Sequence, residues 1–170
     1  MKVKIFVTLV ILFVGFGFIN QSSAQVQDYK SAIGIRLGYP LSLSYKTFIS
    51  NAGAVEGILG YRNWSYYSWF SVGALYEHHM TISAVDGLAW YVGGGAQAYF
   101  WSFDKDHYLN SSDFATFSFG LMGALGLDYK FANIPLNISA DWLPTFVIGG
   151  EFLTGFGGSY GGLGVRYTFR

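Results

Sequence analysis

The chain has 170 residues, no cysteine and a formal net charge of zero; aromatics make up 20% of it and charged residues only 12%, against about 25% charged in an ordinary soluble protein. That balance excludes a disulfide framework and a cysteine-built metal centre. It also offers no basic surface on which nucleic acid could be captured.

In chain order, Lys2 and Lys4 precede an apolar run from Ile5 to Ile19, and the polar NQSSA tract then supplies small residues at Ser22 and Ala24. This pattern predicts a secretory signal peptide over 1–24, cleaved after Ala24, and a single domain over 25–170. A retained N-terminal anchor is the alternative, and the polar tract favours processing. Without cysteine there is no lipoprotein-type acylation site. Beyond the leader, no apolar run reaches the ~20 residues of a spanning helix.

Strand periodicity follows instead. Ile33, Ile35, Leu37 and Tyr39 alternate with Ala32, Gly34, Arg36 and Gly38, and Leu41, Leu43 and Tyr45 alternate with Ser42, Ser44 and Lys46. Val55, Leu59 and Tyr61 oppose Glu56, Gly60 and Arg62, with Ile58 out of pattern; Phe70, Val72, Ala74 and Tyr76 oppose Ser71, Gly73 and Glu77. Leu88, Trp90, Val92 and Phe100 oppose Gln97 and Tyr99. In TFSFGLMGALGLDYKF (116–131) the odd positions are large and apolar apart from Gly123, while the even ones are small or charged apart from Met122, ending in Asp128 and Lys130. Leu136, Ile138 and Trp142 oppose Asn137, Ser139 and Asp141; Leu163, Val165, Tyr167 and Phe169 oppose Gly164, Arg166 and Thr168. A period of two with unlike faces is a strand with two environments.

Eight such segments, exported and poor in charge, predict an all-β fold: a closed antiparallel eight-stranded transmembrane β-barrel, an up-and-down meander in a bacterial outer membrane. Closure is required because an open sheet edge in lipid leaves backbone groups unpaired. A soluble lipocalin-like barrel or sandwich turns its apolar face inward and needs more Lys, Glu and Asp outside than this chain has. The connections agree with the membrane topology. Compact turns at 51–54 and 131–135 fall on the expected periplasmic side, and long loops at 102–114 and 144–161 on the outer side. The connection at 79–87 is longer than that rule prefers, and the turn at Tyr39-Pro40 is short for an outer one. Trp64, Trp69, Trp90, Trp101 and Trp142 sit near strand ends, as interfacial girdles do, although some could instead fill the lumen.

The quieter face gathers Arg36, Lys46, Arg62, Lys130 and Arg166 with Glu56, Glu77, Asp128 and Asp141. An eight-stranded barrel has room only for its own side chains, so buried charges there must pair; the expectation is a salt-bridged plug, which argues against a general porin. A proton or ion path, or an acid–base carboxylate pair, is the sharper alternative. His78 and His79 are adjacent and point to opposite faces, so they cannot share a metal. The outer loop collects Asp104, Asp106, His107, Ser111, Ser112 and Asp113, but no nucleophile–base spacing or calcium loop is complete there. The loop at 144–161 is apolar and Gly-rich with Glu151 its single charge. It reads either as an extension of strands seven and eight or as a binding surface.

The segments LAWYVGGGAQAYFW (88–101), FANIPLNISADWLP (131–144) and the terminal GGLGVRYTFR resemble the small eight-stranded outer-membrane barrel proteins common in Bacteroidetes. The resemblance implies an integral outer-membrane barrel, and the expected state is a monomer. It also implies that Tyr167 and Phe169 form the terminal signal read by the barrel assembly machinery, with Arg170 after the phenylalanine as a departure. It implies little about activity; from the residues no catalysis, cofactor or metal is expected, and the expected role is structural or a surface interaction through extracellular loops. Its rivals are a lipid-modifying barrel enzyme of the lipid A deacylase or acyltransferase type, using residues near His107, and a narrow conduit for small hydrophobic molecules.

Overall fold

The structure is a computed structural model; it describes residues 27–64, 67–103, 115–149, 154–157 and 160–169. Ten strand segments run in order: β1 (Ser31–Tyr39), β2 (Leu41–Phe48), β3 (Gly53–Trp64), β4 (Tyr67–Thr81), β5 (Leu88–Phe103), β6 (Ala115–Lys130), β7 (Leu136–Trp142), β8 (Thr145–Ile148), β9 (Gly155–Gly157) and β10 (Gly161–Phe169). From β1 to β7 each segment pairs antiparallel with the next, β8 pairs with β6 and β9, and β1 pairs with both β2 and β10, so the sheet closes on itself. β7 and β8 keep one register against β6, from Lys130↔Asn137 to Phe119↔Ile148, and form a single stave. With β9 and β10 as another, the barrel has eight staves in a sequential meander.

The last stave changes register along its length. The partners Trp142↔Gly161 and Thr145↔Gly157 differ by one residue, so an extra residue is accommodated opposite Leu143 and Pro144. Pro144 has no N–H to give the ladder, and a bulge is where a strand tolerates it. Gly161 holds φ at +136°, a conformation that favours glycine. The bulge inverts parity, so Phe156 and Leu163 both face outward.

Outward positions are apolar on every stave: Ile35, Leu43, Leu59, Val72, Val92, Leu121, Ile138 and Val165 are all exposed, with aromatics toward both ends. Outward Phe70, Phe100 and Phe117 form a ladder, their rings 6.5 and 5.5 Å apart. At the end bearing the termini, Tyr129 meets Phe131 and Tyr167 meets Phe169 at 4.8 and 5.1 Å. Trp90 and Trp142 face outward as girdle residues would.

Trp69 and Trp101 do not. They are 1% and 6% exposed and turn inward, where Trp101 stacks on Tyr99 and Trp69 meets it edge-on. Trp69 shares the parity of Ser71 and Glu77, and the periodicity outweighs its nearness to a strand end. Strand four also continues through His79 to Thr81, which reduces the connection expected at 79–87 to residues 82–87. The last loop is in part strand, since β8 and β9 lie within 144–161.

Candidate functional site

The lumen is filled in layers. At the terminal end, Tyr29, Ala32, Phe48 and Ala54 form an apolar cap, with Gln27 buried beside it. At the opposite mouth, Trp69, Tyr99, Trp101 and Val147 pack with Tyr39 and Tyr160. Below that lies a second apolar group of Ile58, Leu75, Tyr91, Ala124 and Leu143. Ile58, out of pattern in the sequence, thus belongs to the lumen filling. A void lined by Arg36, Ser42, Gln97, Met122 and Tyr160 measures about 10 Å³, room for at most about one water. A conduit for hydrophobic molecules needs an apolar passage, and among the described residues these layers fill the lumen between its two ends.

Between the caps lies the charged layer. Arg36 reaches Glu56 at 3.1 Å and Asp141 at 2.5 Å. Lys46 Nζ reaches Glu77 at 2.7 Å, Asp128 at 3.0 Å and Glu56 at 3.8 Å. Arg166 donates to Glu56 at 2.6 Å, to Ser44 through Nε at 2.7 Å and to Ser139 at 2.8 Å. Asn137 donates to Asp128, and the Tyr91 hydroxyl donates to Asp141 at 2.7 Å. His79 Nε2 stands 2.9 Å from Glu77 Oε2, its ring stacked on Tyr91 at 5.0 Å. Every stave contributes: Arg36 from β1, Lys46 from β2, Glu56 from β3, Glu77 from β4, Tyr91 from β5, Asp128 from β6, Asp141 from β7 and Arg166 from β10. Ions out of water are costly unless paired and hydrogen-bonded, so this layer holds only in the closed, registered barrel.

Seven of the nine lumen charges singled out in the sequence therefore meet: Arg36, Lys46, Glu56, Glu77, Asp128, Asp141 and Arg166. Two lie elsewhere. The Arg62 guanidinium lies 3.9 Å from the Tyr39 ring centroid at the mouth away from the termini. Lys130, at the last position of β6, turns its ammonium to the carbonyls of Phe131 and Ile134 and ties down the 131–135 turn. Tyr91, Asn137, Ser44 and Ser139 were not among the charges expected to meet, and His79 was weighed only as a metal ligand, yet each shares the parity of the charges, which was the signal available. The loop residues Asp104, Asp106, His107, Ser111, Ser112 and Asp113, together with Glu151 and the 1–24 leader, lie outside the described residues. Among the described residues no cluster of three or more His, Asp or Glu is arranged to hold a metal.

The small residues of the inner face make room for the long ones. A Cβ on Gly126 would stand 2.6 Å from Tyr91 Cζ, 2.7 Å from its hydroxyl and 2.8 Å from Asp141 Cβ. Gly126→Ala is expected to push Tyr91 off Asp141 and cost about 1–3 kcal/mol, as overpacking does. Gly94 faces outward, and the nearest atom to its added Cβ is 3.5 Å away. Gly94→Ala is the matched control, expected to be neutral or slightly stabilising. Urea midpoints of the detergent-folded barrels separate the two.

No family model matches the chain, and no curated protein matches it. Among solved structures it is similar to the crystal structure of Neisserial surface protein A (NspA), with a TM-score of 0.54 and 18% identity, over 82% of this chain and 93% of that one. At that identity the likeness is one of fold: a small, closed, antiparallel eight-stranded barrel.

Proposed function

We propose that the chain is a small integral outer-membrane barrel whose lumen is a structural plug and whose working surface is its extracellular loops. The observation that carries this reading is the inversion of an ordinary globule: exposed Leu, Ile, Val and aromatic side chains around every stave, and buried ion pairs in the middle. An apolar band of that extent in water would far exceed the patches a soluble monomer exposes; in lipid it is the required solvent match. The terminal end faces the periplasm, with the short turns, and the ends of β5 and β6 at Phe103 and Ala115 face the outer side. Residues 1–24 are the export signal, cleaved after Ala24. Tyr167 and Phe169 present the assembly machinery with an outward aromatic strand end. The similar solved structure is named a surface protein, which supports a surface role here. The segments at 88–101, 131–144 and 161–170 support a place among the small barrels of Bacteroidetes. A plug of this density supports neither general porin activity nor chemistry in the lumen, and the barrel acts as a monomer.

The test is gel mobility of the mature chain (25–170) folded in detergent, boiled and unboiled, with circular dichroism. A heat-dependent shift and a β-rich spectrum are expected. A helical spectrum, or a mature chain soluble in plain buffer with no shift, would overturn the reading.

A further inference from the structure

The charged layer does not balance. Among the described residues it contains four carboxylates, Glu56, Glu77, Asp128 and Asp141, against three permanent cations, Arg36, Lys46 and Arg166. All seven side chains are 5% exposed or less, so water and salt cannot make up the missing charge. The hydrogen-bond valences show where the deficit falls. Glu77 Oε2 takes both Lys46 Nζ and His79 Nε2, while Glu77 Oε1 meets no donor. Glu56 Oε1 takes Arg36 and Arg166, and Glu56 Oε2, 3.8 Å from Lys46 Nζ, is also without a donor. Both carboxyls crowd one cation, Lys46 Nζ standing 2.7 Å from Glu77 Oε2 and 3.8 Å from Glu56 Oε2. Two buried, ionised carboxylates sharing that ammonium would leave one negative charge uncompensated and two oxygens without a donor.

We infer that the barrel interior is a proton-binding site: Glu77 carries one proton on Oε1 and donates it to Glu56 Oε2, which leaves the layer neutral. The alternative holder is His79. A protonated His79 would turn Nδ1 into a donor, and Nδ1 is buried with no acceptor; the neutral ring with its hydrogen on Nε2, donating to Glu77 Oε2, leaves only an unused lone pair. The groups around the pair are Lys46 from β2, Glu56 from β3, Tyr91 from β5, Asp128 from β6 and Arg166 from β10, with Tyr29 and Phe48 above them in the apolar cap. That cap separates the site from the terminal mouth, and the two apolar layers separate it from the other. The proton is held in place rather than passed through.

Folding then takes up one proton. Above about pH 7.5 an unfolded chain has neither Glu nor His protonated, so the folded state binds one proton more than the unfolded one. Stability must fall as pH rises, the folding equilibrium constant dropping tenfold per pH unit. The experiment is urea unfolding of the mature chain in detergent from pH 7.5 to 9, for the native protein and for Glu77→Gln, with infrared spectra of both. The glutamine amide donates to Glu56 where the acid did and stays neutral without taking up a proton, so Glu77→Gln is expected to exceed the native folding constant at pH 7.5 by about a thousandfold and to lose the tenfold-per-unit slope. A protonated-carboxyl stretch at pH 8 is expected in the native barrel and absent from the variant. Equal slopes in the two proteins would overturn the proposal. So would a slope without the carboxyl band, which would place the proton on His79. If Glu77→Gln fails to fold, the native spectrum alone decides. Heat-shifted mobility reports separately whether a barrel forms at all, so failure of the proposed function and failure of the proton site are told apart.

Discussion

Replacing Lys46 by methionine is expected to destabilise the folded barrel by about 3–5 kcal/mol at neutral pH, the cost of removing one partner from a buried ion pair. Methionine occupies a similar volume, so packing is nearly held and the loss is electrostatic. Lys46 Nζ contacts Glu77, Asp128 and Glu56 at 2.7, 3.0 and 3.8 Å, and its side chain is wholly buried. Losing a carboxylate can be met by releasing the interior proton. Losing this cation can be met only by taking up another, which near pH 7 runs against the ordinary acidity of Asp and Glu. The loss should therefore shrink as pH falls, and Asp128→Asn added to Lys46→Met should recover part of it, since the second change removes an orphaned anion. The cycle of two single variants and the double, by urea unfolding, reads that coupling directly. A cost below about 1 kcal/mol, as for a solvent-exposed pair, would mean that water reaches Lys46 and that the layer is not sealed.

How much of this could be read without coordinates depends on which property parity controls. Which face a residue takes is set by a period of two, and that placed Arg36, Lys46, Glu56, Glu77, Asp128, Asp141 and Arg166 inward from sequence alone. Parity does not give height along the barrel axis. Arg62 and Lys130 share the inward parity, yet one lies at a mouth against Tyr39 and the other over the 131–135 turn. Their heights depend on stagger between staves, a property of pairing across the sheet rather than of one strand. Partner choice has the same origin. Arg166 meets Glu56, 110 positions away, because β10 and β3 flank the β1–β2 pair. Ile58 looked misplaced because the inward face was expected to be polar, whereas the lumen alternates charged and apolar layers. The bulge opposite Pro144 was hidden for another reason: a one-residue slip reverses parity, so strand and loop readings of 144–161 were both open until the register was known.

Replacing Leu121 by arginine should separate a lipid-facing wall from a water-facing one, because the two media give different answers. Leu121 lies within the outward run of β6, between the aromatic positions Phe117 and Tyr129, and is 52% exposed beside Ala96 and Phe146. On a soluble barrel an exposed leucine-to-arginine change would fall within about ±0.5 kcal/mol. In a bilayer the same change near the midplane costs about 2–4 kcal/mol, and the penalty falls to about 0–1 kcal/mol near the interfaces. Tyr45 supplies the second depth: it is outward and exposed, close to the terminal end of β2. Tyr45→Arg should therefore cost much less than Leu121→Arg when both are unfolded from lipid vesicles by urea. The depth dependence is the discriminating quantity, since loss of side-chain packing alone would not grade with height in the membrane. Equal and small effects at the two positions would put water outside the barrel and overturn the membrane assignment; a large effect at Leu121 with a small one at Tyr45 would locate the hydrocarbon core on this wall.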